Sequence, residues 1–325
     1  MKRRIGQWVF AGVLVVVGDA GAADPGAFPV RPVRIIVPYA PGGSVDTVAR
    51  AVGQRLSDTW NQSVVVENRP GGGANIGTDL VARATPDGYT LLMGTTANTV
   101  NVHLMDKLAH DFLRDFAPIS LLDTFFNVLV VPATSPAKSL KELLDLARAK
   151  PGGLSYASSG VGSSNHFSGV LLDMLARVQT VHVPYKSAPI ALTDTLSGRV
   201  DMYYPGIVSS LPHIQSGKLR AFGVTGSRRS ASAPQIPTLA EAGIPGYELE
   251  PWHGILAPAG TPAAVVDRIH RDVVAAIKLP EIRDRLIAAG VDNIVGSSPV
   301  ELAAFVRRET EKYGRIAKAS GLGRK

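Results

Sequence analysis

The sequence predicts an α/β protein of two domains, the first discontinuous and interrupted by the second. Short apolar runs alternate with longer amphipathic ones, which is the rhythm of strand and helix. The 325 residues exceed what one core ordinarily holds, at roughly 100 to 200 residues per domain. Finally, three helical segments close the chain without a full set of strands of their own, so they are expected to pack back onto the first unit.

Val33-Arg34-Ile35-Ile36-Val37 reads as a buried strand, followed by a Pro/Gly loop and a helix from about Val45 to Ser57. Val64 to Asn68 reads as a second strand. Residues 70–77 form a glycine-rich turn, a helix runs through Ala84, and Thr90 to Met93 is a third strand. A second set begins with Val128 to Val131, the helix Leu140 to Ala149, and the strand Leu154 to Ala157. It continues through Val181 to Tyr185, Val200 to Tyr204 and Leu219 to Val224. Residues 226–251, rich in Gly, Ser, Pro and Ala, read as a surface connection. Then come a strand over Gly254 to Ala257 and helices at about 262–278, 280–289 and 299–319, each opening at or just after proline. The expected partition is an export signal over 1–23, a first domain over 24–125, an inserted second domain over 126–225, and a connection and return over 226–325.

The export signal is read from Lys2, Arg3 and Arg4 followed by an uncharged run from Ile5 to Gly18, with Ala20-Gly21-Ala22 as the small-residue cleavage pattern. The apolar run is short against ~30 Å of hydrocarbon, so cleavage after Ala22 or Ala23 and release into the periplasm are expected. There is no cysteine, which excludes disulfide scaffolds, thiol catalysis and a lipid-modified cysteine tether. The net charge of +7 has no concentrated basic tract and only 6% of residues are aromatic, so nucleic-acid binding is not indicated.

Two loops carry the functional reading. Pro38-Tyr39-Ala40-Pro41-Gly42-Gly43-Ser44-Val45-Asp46 joins a strand to a helix. Its glycines let a ligand approach the backbone, Ser44 is a natural N-cap, and first-turn N–H groups attract an anion. The motif therefore suits a carboxylate or phosphate; a merely tight turn between strand and helix stands equally open. In the other half, the stretch from Tyr156 to His166 joins a strand to a helix at 165–176 and offers Ser158, Ser159, Gly160, Gly162, Ser163 and Ser164. Across an interdomain cleft, the two loops would share one small polar ligand, because ligands of open α/β sheets sit beyond the carboxyl ends of strands. His166 either donates to that ligand or caps and packs locally, the commoner fate.

Enzyme signatures are missing. There is no Gly-x-Ser-x-Gly elbow and no phosphate loop, and Gly71 to Gly77 misses the dinucleotide fingerprint by one residue. No histidine pair has metalloprotease spacing. No cofactor, metal or catalytic residue is expected.

Several blocks, in order, resemble one family: Arg31 to Pro38 with the Gly-Gly loop and Asp46, Val66 to Gly73, Pro86 to Leu92, Val183-Pro184-Tyr185-Lys186, Gly217 to Ala221, Pro237 to Gly243 and Ala257 to Pro262. The chain resembles, over nearly its whole mature length, the substrate-binding proteins of tripartite tricarboxylate transporters, the Bug family of bacterial periplasmic proteins. That resemblance implies a two-domain Venus-flytrap fold, the type II periplasmic-binding-protein fold. It implies a monomer that closes on a small organic acid and delivers it to membrane permease subunits, the acid held by backbone amides, hydroxyls and water. The implied ligand positions are Tyr39, Ala40, Gly42, Gly43, Ser44 and Asp46, the Thr95-Thr96 turn, then Ser159, Gly160, Gly162, Ser163, Ser164 and His166, with Tyr185 and Pro205. Two departures stand out. Ser187-Ala188-Pro189-Ile190 replaces the family's usual turn after Tyr-Lys. Pro205-Gly206 stands where many members carry Asp or Asn, which speaks against an amino-acid ligand. A binding component of a signalling system and a secreted α/β enzyme are the competing classes.

Overall fold

The computed structural model describes residues 28–323; the expected export segment and its cleavage positions lie outside them. The order of elements is β1 (Val33–Val37), α1 (Ser44–Trp60), β2 (Val64–Asn68), α2 (Asn75–Ala82), β3 (Thr90–Thr95), α3 (Thr96–Leu104) and β4 (Phe116–Phe125). The chain then runs through β5 (Val128–Pro132), α4 (Leu140–Ala149), β6 (Ser155–Ser158), α5 (Ser164–Ala176), β7 (Val181–Pro184), α6 (Ala188–Leu196), β8 (Met202–Tyr203), α7 (Ile207–Gln215) and β9 (Leu219–Val224). It ends with β10 (Trp252–Pro258), α8 (Ala263–Lys278), α9 (Pro280–Ala288), β11 (Val291–Ile294) and α10 (Pro299–Ala319).

The strands form two sheets, ordered β11-β4-β10-β3-β1-β2 and β7-β6-β8-β5-β9, one to each lobe of a two-domain α/β fold. The near-continuous apolar run of β1 places Val33, Ile35, Ile36 and Val37 entirely out of solvent, as a strand covered on both faces requires. It pairs in parallel with β2 and β3, which forces helical crossovers between them. The chain passes between lobes over the short Phe125–Val128 link and again over the stretch from Val224 to Trp252.

On one face of the first sheet, α1, α8 and α9 bury Val48, Val52, Ile269, Val273 and Leu286 against Ile35 and Leu91. The last helix departs from the expectation that it belongs to the first domain. Its N-terminal half packs Leu302 and Val306 beside Ile36 and Trp252, but its C-terminal half places Tyr313, Ile316 and Ala317 in a cluster with Leu143 and Phe167 of the second lobe. α10 therefore bridges both cores.

Five elements went unread in the sequence, and three of them, β4, α3 and α7, oppose a local preference. β4 lies inside its sheet yet contains Pro118 and Asp123. The proline is accommodated where the β4–β10 register shifts between Ile255 and Leu256, and the carboxylate is paired with His253. α3 is rich in Thr, Asn and Val, which favour other conformations, but Thr95 and Asn98 form a capping box, and Asn98 Nδ2 donates to Thr78 Oγ1 at 2.8 Å. α7 carries Pro212 in its interior. α6 opens within the unusual Ser187-Ala188-Pro189 stretch, with Ser187 as its N-cap and Pro189 in its first turn, and the short β11 is a sheet edge.

Candidate ligand-binding site

The loop after β1 is held from beneath. Asn68, at the end of the adjacent β2, donates through Nδ2 to the Tyr39 carbonyl at 3.0 Å and to Asp46 Oδ1 at 2.9 Å. Asp46 Oδ2 in turn accepts from the Gly42 N–H at 3.1 Å and from Arg50 Nε at 3.1 Å. Burial raises the cost of ionising Asp46, but the bonds from Arg50, Asn68 and Gly42 outweigh it and hold the carboxyl below the usual range. Gly43, not Ser44, is the N-cap of α1, and no side chain caps the helix. The expectation that Ser44 caps fails because the helix begins at Ser44 itself, leaving its first-turn N–H groups without a side-chain partner.

The loop after β6 is built differently. Ser163 is the N-cap of α5 and accepts from the His166 N–H at 3.3 Å, while its own hydroxyl donates to the Gly160 carbonyl at 2.7 Å. Asn165 Oδ1 accepts from Ser159 Oγ at 2.7 Å, and Asn165 Nδ2 donates to the Tyr204 carbonyl. The His166 ring lies beneath the loop, where Nδ1 accepts from the Gly162 N–H at 3.2 Å, stacked on His182 with centroids 3.9 Å apart. Burial, then the neighbouring His182, pushes His166 down to about 3, and burial pushes His182 down to about 4. Both rings are neutral structural members of the second lobe at neutral pH.

Between the loops lies a cavity of about 370 Å³. The N-termini of α1, α3, α5, α6 and α7 converge on it through their caps Gly43, Thr95, Ser163, Ser187 and Gly206. Each contributes the positive end of a helix dipole. Among the described residues, no Lys, Arg, Asp or Glu lines the cavity. Its walls are apolar where Val45, Phe125, Leu192, Val208 and Trp252 stand, and polar at hydroxyls, amides and the ring of His253. Buried Asn127 Oδ1 and the Tyr203 hydroxyl have no hydrogen-bond partner among the described residues. The Tyr39 phenol, also in the lining, is pushed up to about 12 by burial, opposed by a bond with Thr95, so it stays a neutral hydrogen-bonding group. Such a site stabilises an anion with dipoles and neutral donors, without an ion pair.

Residues 48–322 match the model of the tripartite tricarboxylate transporter family receptor. This chain belongs to that family. Among its relatives is the UPF0065 protein in the tcbD-tcbE intergenic region of Pseudomonas sp. strain P51, 40% identical over 291 residues that make up 89% of this chain and 86% of the relative. Among solved structures, Rhodopseudomonas palustris MatC (Rpa3494) with bound malate is 34% identical with a TM-score of 0.83, covering 89% of this receptor and 99% of that chain. R. palustris Rpa4515 with adipate is 33% identical with a TM-score of 0.86, covering 91% of this receptor and 99% of that chain.

Of the positions expected at the receptor's site, Tyr39, Ala40, Gly42, Gly43, Ser44, Thr95, Thr96, Ser159, Ser163, Ser164 and Pro205 line the one cavity. Asp46, Gly160, Gly162, His166 and Tyr185 do not. Asp46 and His166 brace their loops from behind. Gly160 and Gly162 take φ of 128° and 82° to turn the chain, and the Tyr185 hydroxyl donates to Asp194 Oδ2 at 3.0 Å. The sequence reading missed Asn127, Trp252 and His253. The last two open a strand that is two strands from β1 in its sheet and far from it in sequence, and only the sheet order β4-β10-β3-β1 brings them to the cavity.

Proposed function

We propose that this receptor captures a small carboxylic acid lacking an amino group, in the cleft between its lobes, and hands it unchanged to the permease subunits of a tripartite tricarboxylate-type transporter. The observation that carries the reading is the convergence of five helix N-termini on a cavity that no charged side chain of the described residues lines. A carboxylate gains there from dipoles and donors. An ammonium finds no carboxylate: Asp46 is committed to Gly42, Arg50 and Asn68, and Asp201 to the Ser155 N–H and Oγ at 2.7 Å each. The bound adipate and malate of the two R. palustris relatives are acids of the proposed class.

The receptor works in the periplasm, as its family does, and we place cleavage of its leader after Ala22 or Ala23. We assign lobe boundaries near 125 and 225, with residues 226–251 leading back to the first lobe. We read binding as without turnover because the two loops present backbone and hydroxyl donors to the cavity, while the Ser158 Oγ–His182 Nε2 pair, at 2.6 Å, lies outside the cavity lining. A thermal-shift screen of carboxylic acids tests this, with the stabilising acid then followed by mass spectrometry over hours of incubation. A ligand at a hundred times its Kd adds about 2.7 kcal/mol to stability. Recovery of the acid unchanged is expected; conversion to a product would refute the receptor reading.

A further inference from the structure

We propose that His253, positioned by Asp123, reads the far end of the ligand and selects an acid that carries a second polar group there. The assignment rests on the receptor function proposed above and deepens it. Both side chains are buried, His253 at 2% and Asp123 at 0% exposure, in the floor of the first lobe. Asp123 Oδ1 lies 2.8 Å from Nδ1, and the Phe125 ring stacks on the imidazole at 4.7 Å, so the ring's orientation is fixed on two sides. Nε2 has no hydrogen-bond partner among the described residues and is not among their solvent-excluded unpaired atoms, and His253 lines the cavity. A ring held in place with one nitrogen unused by the protein is positioned to pair with a polar group of the ligand, whose desolvation costs less where it finds such a partner.

The sheet order sets how far away that partner lies. His253 sits on β10, paired with Thr95 of β3, which adjoins β1 and its Gly42-Gly43 loop. Two strand spacings, about 9 to 10 Å, separate β10 from β1. An acid whose first carboxylate lies against the Gly42-Gly43 loop therefore reaches His253 with its opposite end. Fixing Nδ1 against a carboxylate sets the tautomer, and with it the donor or acceptor character offered to the ligand. Asp123 is thus a positioning residue, while His253 is the contact.

The test compares diacids with monoacids of matching skeleton by calorimetric titration: succinate, adipate and phthalate against butyrate, hexanoate and benzoate. In the unmodified protein the best diacid should exceed its monoacid. His253→Phe, which keeps the stack on Phe125, should cost that diacid about tenfold to a hundredfold, the scale of one hydrogen bond to a charged group, and leave the monoacid nearly unchanged. His253→Gln should recover part of the loss, and Asp123→Asn should reduce the diacid preference without contacting ligand. Because His253→Phe leaves Asp123 buried and unpaired, a second measurement uses the unmodified protein. In long-range proton–nitrogen spectra, the His253 Nε2 resonance should move on adding the diacid and stay on adding the monoacid. An unmoved resonance, or an unchanged diacid-to-monoacid ratio in a folded His253→Phe protein, overturns the assignment alone. Failure of every acid to bind the unmodified protein overturns the receptor reading, and this assignment with it.

Discussion

Gly42 adopts φ +91°, in the region that side chains avoid, and its N–H is anchored to Asp46. Gly43 has an ordinary extended backbone, φ −86° and ψ 170°, and a Cβ built there meets nothing within 4 Å. Backbone strain therefore demands glycine at 42, whereas at 43 only an approaching ligand does. Gly42→Ala should cost stability on the order of 1–2 kcal/mol, measurable as a lowered urea midpoint; an unchanged midpoint would show that the loop relaxes freely. The histidine pair behind the other loop makes a pH prediction. An unfolded histidine titrates near 6.5, and His166 and His182 resist protonation until about 3 and about 4. As pH falls below 6.5 the unfolded chain takes up protons that the folded chain refuses. Stability therefore rises with pH across that window and is lost on acidification from 6.5, toward about 4 for His182 and about 3 for His166. His182→Gln should flatten the acid limb of the Tm profile, and an equal slope would contradict the assignment.

At the scale of elements, Asn68 explains why a strand two turns of chain away belongs to the site. Its amide holds both ends of the loop after β1, so Asn68→Ala should weaken ligand binding at a residue outside the cavity lining. A loss of about 1–3 kcal/mol in binding by calorimetry is expected from freeing the partly buried Tyr39 carbonyl and Asp46. Full affinity would show that the loop is set by its glycines alone. The sequence made β1, β2, β3 and the helices α1, α4 and α8 readable because apolar periodicity and Pro or Ser starts agree there. It did not make β4, α3 or α7 readable, because Pro118, Asp123, the Thr/Asn run and Pro212 oppose the structures they occupy. Those elements are fixed by tertiary partners: a register shift, a buried His253 and a capping box. Likewise the two glycine-serine loops were legible as facing loops and do line one cavity, while His253 and Trp252 reach it only through sheet order and Asn127 through the link between β4 and β5.

Across the whole molecule, the lobes meet on both sides of the cavity. A Cβ at Gly73 would lie 2.7 Å from the Val161 carbonyl, one at Gly162 would collide with Asn101 Oδ1, and one at Gly290 would touch Val208 Cβ at 3.4 Å. Each pair joins the first lobe to the second, so glycine permits the lobes to close tightly over a ligand. Gly73→Ala, at φ +63°, should lower affinity by obstructing closure against the Val161 carbonyl while leaving the loop at 38–46 intact. A larger radius of gyration by X-ray scattering in the presence of ligand would report that obstruction, and a value equal to the unmodified protein's would refute it. α10, with one end in each core, couples such motion to the packing of Tyr313 and Phe167. The central claim is that one carboxylic acid binds between the lobes against the backbone of Gly43. Calorimetric titration of the unmodified protein and of Gly43→Val with the acid that stabilises the protein tests it most directly. One ligand per chain in the first, none in the second, and equal melting temperatures without ligand are the predicted results; equal affinity in the two proteins would place the ligand elsewhere.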